Sequence, residues 1–494
     1  MRGLIRLPIS LAQSINATPD SWIPLLAVVA LLASAITLQS IRRNERRERV
    51  AWWLSGATAV AGIVWFYRAG DLDWHATRDW IKEWTYHTAL RESLAAGRLP
   101  WLLRESFQDT DRFFANAETN IAPHVVLLAW LEVSTFVVVQ AAALLAAGVF
   151  ATYHLARDLR LGPIASMAFL TIFLMNGHVT AHLETGHGQW VTYFLLPCVL
   201  LFVHRAATDQ AGARTAAALA LTLLAITLVG GWHVFVWCVI FITVFTIADR
   251  SRWRFGVVLA LLVAGLSAVR IIPAVLFFDV GEREFVGSFQ QLSVLARALI
   301  GDAGGMTDGL DWWEYNAFVG WTGFVLALAG LTAPLSRTWA HSVSALWPPS
   351  LAMVLLSILD IYEWTLFQLP GFESQRVASR LMIVGLLGFV LIGCVQLDAW
   401  LLRNARSRWR IATVAIAGLL LAVQLVVHTT GRRPRPDRGG APPAIDVVSD
   451  RAPDTPYRAS VAAGALLTLI SAGLAARVLL RRSDAGSAPG GAAC

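Results

Sequence analysis

The stretch that decides the fold covers residues 61–75, AGIVWFYRAGDLDWH. An apolar span ends here, and Asp71 and Asp73 follow it directly, opening a long loop rich in tryptophan. A carboxylate at the surface of a membrane is costly to keep there unless it has a function. The stretch therefore indicates chemistry at the face of a bilayer.

The composition is that of an integral membrane protein, because 56% of the residues are hydrophobic and only 15% are charged. A membrane-crossing helix needs roughly 20 residues, and on that basis we expect an all-α fold with about thirteen transmembrane helices. The net charge of +7 does not indicate a nucleic-acid partner, because the arginines lie in short loops between spans. The predicted spans are 22–41, 51–67, 133–155, 163–179, 190–204, 215–230, 234–248, 255–273, 317–335, 343–360, 380–398, 411–428 and 459–480.

The arginine clusters lie in alternate loops, which the positive-inside rule assigns to the cytoplasm. On this topology the loop that Asp71 and Asp73 open faces outward, so we expect a multi-pass protein of the plasma (inner) membrane with its active site on the extracytoplasmic side. Outer loops are then 68–132, 180–189, 279–316, 361–379 and 429–458, the last of which also holds six arginines. The predicted organisation is an N-terminal segment 1–21, a transmembrane domain 22–428, a Pro/Arg/Gly-rich linker 429–458, a final helix 459–480 and a cytoplasmic tail 481–494.

The first outer loop contains a predicted amphipathic helix. Trp80, Trp84, Leu90 and Leu94 recur at helical spacing with charged residues between them, and Gly97 follows. A helix of this kind lies in the plane of the membrane interface. The alternative is that the body of this helix only anchors the protein in the membrane.

Asp71 and Asp73 are the candidate catalytic residues. Transfer of a sugar from a lipid phosphate to a hydroxyl group requires the hydroxyl to lose its proton, which a nearby carboxylate can accept. The phosphate leaves without protonation, so one base is enough. Asp73 is the first choice because it lies nearer the surface helix. The alternative is a pair of solvated, inert carboxylates at the end of a span.

A second candidate group is His178, His182, Glu184 and His187. Three imidazoles and a carboxylate in ten residues could bind a divalent metal such as Mg²⁺ or Mn²⁺. The alternative is a metal-free site that binds the lipid phosphate or the acceptor. The sequence does not decide between them.

The third group holds candidate ligands for the donor phosphate. Arg376 and Arg380 are four residues apart at the outer start of a span, and Arg270 lies near the outer end of another. Guanidinium groups bind phosphate in bidentate fashion, although Arg380 could also simply reach the interface. Glu314, just before the ninth span, is placed to enter a cavity.

Three short motifs in the first outer loop carry a resemblance to a known family: DLDWH (71–75), GRLPW (97–101) and FANAE (114–118). With WEY (313–315) and the Arg376–Arg380 pair, they resemble the GT-C class of membrane glycosyltransferases, and within it the bacterial YfhO-like membrane proteins. Ala117 and Glu118 stand where that family tends to have Pro-Gln. The resemblance covers roughly residues 60–400.

The resemblance implies a membrane enzyme that uses a polyprenyl-phosphate-linked sugar as donor and an extracytoplasmic glycan, glycolipid or protein as acceptor. It also implies that Asp73 or Asp71 is catalytic. Two other functions fit the same spans: a flippase for a lipid-linked sugar, and a non-catalytic scaffold for assembly of the cell envelope. The lack of a visible internal repeat argues against a transporter.

Overall fold

The computed structural model describes residues 45–68, 79–107, 110–208, 212–278, 284–301, 312–335, 341–372, 374–403, 408–431 and 447–480. All structural statements below concern these residues. Asp71 and Asp73 lie outside them, as do the N-terminal segment 1–21, the predicted first span 22–41, residues 432–446 of the predicted linker and the tail 481–494.

The described chain is almost entirely helical, with one small hairpin. The hairpin pairs β1 (Leu102–Phe107) with β2 (Thr110–Arg112) in antiparallel fashion. The α-helices, in chain order, are α1 (Glu45–Arg68), α2 (Trp80–Ala95), α3 (Val133–Asp158), α4 (Pro163–Met175), α5 (Gly177–Thr185), α6 (Leu196–Ala207), α7 (Ala213–Leu228), α8 (Trp232–Ile247), α9 (Trp253–Leu266), α10 (Ala268–Phe277), α11 (Leu292–Ile300), α12 (Gly320–Leu331), α13 (His341–Ser344), α14 (Trp347–Leu356), α15 (Ile361–Trp364), α16 (Met382–Leu402), α17 (Arg408–Gly431) and α18 (Thr455–Leu480). Short 3₁₀ segments join several of them, including Pro123–Ala129, Gly188–Leu195, Trp312–Tyr315 and Ala378–Leu381.

Six helical segments of the described chain are long and apolar enough to cross a membrane: Val133–Asp158, Pro163–Thr185, Gly188–Ala207, Ala378–Leu402, Ala412–Thr429 and Thr455–Leu480. A seventh results if α8 and α9, which meet at a bend of 118°, are counted as one broken span. The predicted number of about thirteen is therefore not confirmed.

The difference comes mainly from helices that are too short. A 12-residue helix such as α12 is about 18 Å long, well below the roughly 30 Å of a hydrocarbon core. Helices α7, α10 and α14 are short as well. The predicted span 255–273 is not one helix either, because the chain breaks at Ser267 between α9 and α10.

Close helix contacts in the bundle depend on glycine. Helices α12 and α16 cross where Gly330 faces the carbonyl of Phe389 and Gly393 faces that of Leu326. A Cβ at either glycine would lie within about 2 Å of the facing oxygen. Small residues therefore let the two backbones touch, as is common between membrane helices.

Helix α2 forms where the sequence predicts it, but it packs differently. Trp80 and Leu90 are buried within the protein, and so are the polar side chains of Glu83, His87 and Ser93. A helix that only anchors the protein in the interface would turn its polar side to water. Its burial instead makes α2 part of the packed body of the protein.

The described part of the predicted linker, residues 447–458, joins the first outer loop. Ser449 donates a hydrogen bond to the carbonyl of Leu102, and Arg104 donates its backbone N–H to Val447. The hydroxyl of Tyr457, at the start of α18, accepts from the backbone N–H of Phe114 at 2.8 Å. The start of α18 and the hairpin therefore lie on the same side of the bundle.

Candidate active site

A cavity of about 540 Å³ lies where the first outer loop meets the helix bundle. Six parts of the chain form its wall. These are the start of α2, the turn 116–118, the stretch 187–190, the start of α8, the end of α10 and the loop 371–380. The wall combines charged groups with the apolar side chains of Ala274, Val275 and Phe278.

Asp79 supplies one carboxylate at the start of α2. Its Oδ2 lies 2.7 Å from Nε2 of His187, and its side chain is half exposed. Burial alone would raise the pKa of Asp79, but the hydrogen bond and the charge of His187 hold it below its usual value. The turn before His187 fits because Gly186 has a φ of +101°, which glycine adopts at little cost. It brings the carbonyl of Thr185 to 3.2 Å from the backbone nitrogen of Asp79.

Glu118 supplies the second carboxylate. Its Oε2 lies 2.6 Å from Nζ of Lys82, one turn into α2, and its Oε1 lies 3.3 Å from Nε2 of His233 on α8. Burial opposes ionisation of Glu118, but Lys82 and His233 hold its pKa well below the usual value. Glu118 is therefore an anion at neutral pH.

The two predicted phosphate ligands of the loop 371–380 differ in their surroundings. Arg380 makes a bidentate ion pair with Glu314, with nitrogen–oxygen distances of 2.6 and 2.5 Å. Its guanidinium also lies 5.0 Å from the centre of the Trp190 ring, a cation–π contact. Arg376 lines the cavity, is exposed, and makes no ion pair with any residue that the structure describes. Of the two, Arg376 is the cation that a bound anion can reach without displacing any carboxylate that the structure describes.

Arg270 does not line the cavity. It is 1% exposed, and it donates to the backbone carbonyls of Thr227 and Asn116, each at 3.2 Å, and to the hydroxyl of Thr119 at 2.9 Å. These contacts tie α10 to the turn that carries Glu118. In this geometry Arg270 makes structural contacts between two parts of the chain, whereas the sequence predicts that it binds the donor phosphate.

The histidines of the second candidate group are packed against each other. Nδ1 of His182 and Nδ1 of His187 are 2.6 Å apart, a hydrogen-bond distance. Two nitrogens bound to one divalent ion at about 2.0–2.1 Å each would be roughly 2.9 Å apart at adjacent octahedral positions and roughly 3.4 Å apart in tetrahedral geometry. His178 accepts a hydrogen bond from the indole of Trp190 at 3.2 Å.

No group of three or more His, Cys, Asp and Glu side chains is placed to hold a metal ion among the described residues. Glu184, on α5, is not among the residues that line the cavity. Asp79, His187 and His182 form a chain of hydrogen bonds. If His187 donates its Nε2–H to Asp79, its Nδ1 must accept from His182, which assigns the tautomers of both rings.

The structure thus brings His187, Arg376 and Arg380 to one cavity. Glu314 lies directly behind the cavity wall, where it forms its ion pair with Arg380. Sequence reasoning missed Asp79, Lys82, Glu118 and His233 as site residues. Glu118 carried a signal, since it departs from the family pattern in the motif FANAE. Asp79 and Lys82 carried little signal of a functional role, because charged residues on a predicted surface helix are usually solvated.

No family model and no curated protein matches the sequence. In structure, the chain is similar to the arabinofuranosyltransferase AftD from Mycobacteria, solved by single-particle cryo-EM, with a TM-score of 0.51 and 18% sequence identity. The match covers 80% of this chain and 28% of the AftD chain, so the chain spans less than a third of that protein. The similarity supports the GT-C-like fold and does not single out the YfhO-like subfamily.

Proposed function

We propose that this protein is a membrane glycosyltransferase that moves a sugar from a polyprenyl-phosphate-linked donor to an acceptor hydroxyl. The observation that carries the proposal is the cavity, in which carboxylates and cations face one space of about 540 Å³. The reaction needs both, because a proton leaves the acceptor and negative charge develops on the departing phosphate. The fold shared with a glycosyltransferase agrees with this chemistry.

Access from the lipid phase favours a lipid-linked donor. Val275 lines the cavity and is also 75% exposed, and the neighbouring Leu276 is 61% exposed. We place these exposed aliphatic side chains against the hydrocarbon of the membrane, since contiguous exposed apolar surface marks a membrane contact. An isoprenoid chain can therefore lie along α10 while its phosphate reaches the polar part of the cavity.

The donor phosphate is assigned to Arg376, supported by Arg380 behind it. The base is assigned to Asp73, with Asp71 as the alternative. Asp73 precedes Asp79 by six residues, which span at most about 20 Å when extended. Asp79 itself lines the cavity, so Asp73 lies within about that distance of its wall.

In the proposed step, the acceptor oxygen forms a bond to the anomeric carbon while the bond from that carbon to the phosphate oxygen breaks. The phosphate leaves with the electron pair, and the hydroxyl proton passes to the aspartate. A single displacement of this kind inverts the anomeric configuration. The reaction needs no acid, because polyprenyl phosphate leaves as an anion.

The test uses the full chain in nanodiscs with farnesyl-phosphoryl arabinofuranose, mannose or glucose and an oligosaccharide acceptor, with the product detected by mass spectrometry. We expect transfer from at least one donor, and loss of transfer in Asp73→Asn or Asp71→Asn. Asp249→Asn is the matched control, because Asp249 lies at the other end of α8 from the cavity. Full activity of both Asn variants would remove the base assignment. Donor movement across liposomes without any transfer would favour a flippase instead.

A further inference from the structure

We propose that Glu118 is a second catalytic carboxylate of this site, one that remains an anion beside the reacting sugar and stabilises the positive charge of its transition state. This inference rests on the proposed glycosyl transfer. It adds a residue whose role differs from that of the base at position 71 or 73.

The turn that carries Glu118 is held rigidly. The side-chain oxygen of Asn116 accepts the backbone N–H of Glu118 at 3.0 Å, and Arg270 binds the turn on both sides of that residue. Gly230 packs against it so closely that a Cβ there would lie 2.2 Å from the carbonyl oxygen of Glu118. A fixed turn of this kind holds a charge in one position throughout a reaction.

The carboxylate of Glu118 is oriented as well as fixed. Lys82 binds Oε2 at 2.6 Å, and His233 approaches Oε1 at 3.3 Å. His233 is held from its other ring nitrogen by Gln375 at 2.9 Å, and Gln375 also accepts the indole N–H of Trp237. Glu118 still lines the cavity, so a substrate can touch it.

The charge of Glu118 suits an electrostatic role better than proton transfer. A general base works best when its pKa lies near the operating pH, whereas Lys82 and His233 hold Glu118 far below it despite its burial. Glycosyl transfer passes through an oxocarbenium-like transition state that carries positive charge on the sugar ring. A preorganised anion beside that ring lowers the barrier without any movement at the moment of reaction.

The test is Glu118→Gln, which keeps the size and the hydrogen-bonding atoms of the side chain and removes its charge. We expect kcat to fall by about 100-fold, the scale for loss of one preorganised electrostatic group, with the donor KM changed less than about twofold. The acidic limb of the pH–rate profile should remain, since it belongs to the aspartate base. The Kd for farnesyl phosphate should also be unchanged.

The matched control is Glu83→Gln, the same substitution at the residue that follows Lys82 in the chain. Glu83 is buried and does not line the cavity, and burial raises its pKa to about 8, so its protonated form predominates at pH 7. We expect this variant to keep the wild-type kcat.

Each other outcome overturns the inference in a distinct way. A kcat within threefold of wild type shows that Glu118 is not catalytic, and if Asp79→Asn then loses activity, Asp79 has the role. Loss of farnesyl phosphate binding shows a structural role; a lower melting temperature alone does not, because Glu118→Gln leaves Lys82 without its carboxylate partner. Loss of the acidic limb shows that Glu118 is the base. A wild-type protein that transfers from none of the donors overturns the proposed function itself.

Discussion

Arg376→Gln should weaken binding of the donor phosphate while leaving the fold intact. Arg376 lines the cavity, is exposed, and makes no ion pair with a described residue. Its removal therefore leaves no described carboxylate buried without a partner. Arg380 differs, because the same change there would leave Glu314 buried and unpaired.

The expected size of the effect follows from the interaction that is lost. A hydrogen bond to a charged group contributes about 1.5–3 kcal/mol, and each 1.4 kcal/mol is about tenfold in Kd. Exposure of Arg376 to solvent and salt places the effect at the low end of that range. We expect Kd for farnesyl phosphate to rise about tenfold, with a melting temperature within about 2 °C of wild type.

The assay is titration of the full chain in nanodiscs with farnesyl phosphate, followed by intrinsic tryptophan fluorescence, since Trp190 and Trp232 line the cavity. Arg297→Gln is the matched control, because Arg297 is exposed on α11 and does not line the cavity. An unchanged Kd in Arg376→Gln would refute the assignment. An equal loss in Arg297→Gln would show that the effect is only a change in net charge.

Three further predictions concern stability. Glu314→Gln leaves Arg380 without its bidentate partner, and loss of one member of a buried pair costs about 3–5 kcal/mol; an unchanged melting temperature would contradict this. Gly186→Ala forces alanine to a φ of +101° with its Cβ 2.2 Å from the first backbone nitrogen of α2, a strain of at least about 1 kcal/mol that should lower the melting temperature. Gly473→Ala is the control, because a Cβ there would meet nothing within 4 Å; its melting temperature should be unchanged or slightly higher. Burial raises the pKa of Glu83 to about 8, so at this residue the folded state binds one proton more than the unfolded state between the unfolded pKa and that value. The contribution of Glu83 to stability falls as pH rises from 5 to 8, so the stability of the wild type relative to that of Glu83→Gln should fall over this range.

The long helices were predictable because their apolar runs exceed the length that a membrane requires. Spans 133–155, 380–398 and 459–480 each correspond to one helix of the structure. The break at Ser267 was not predictable, since both sides of it are apolar and serine is tolerated in membrane helices. Short helices such as α12 were overcounted for the same reason, because hydropathy does not show where a helix ends.

The site was predictable only where a motif marked it. Arg376 and Arg380 were identified by their spacing, but their different surroundings depend on Glu314, which lies 66 residues before Arg380. The Lys82–Glu118 pair joins residues 36 apart that fold together only through the turn after the hairpin. Pairings of this kind are tertiary, and a single sequence does not carry them.

The most direct measurement is a cryo-EM structure of the full chain in nanodiscs with farnesyl-phosphoryl arabinofuranose, whose sugar is that of the transferase with the similar fold. We expect the phosphate within hydrogen-bond distance of Arg376, the isoprenoid along α10, and the sugar between Glu118 and the carboxylate of Asp73 or Asp71. Density for the donor at another surface, with the cavity empty at saturating donor, would contradict the glycosyltransferase site proposed for this protein.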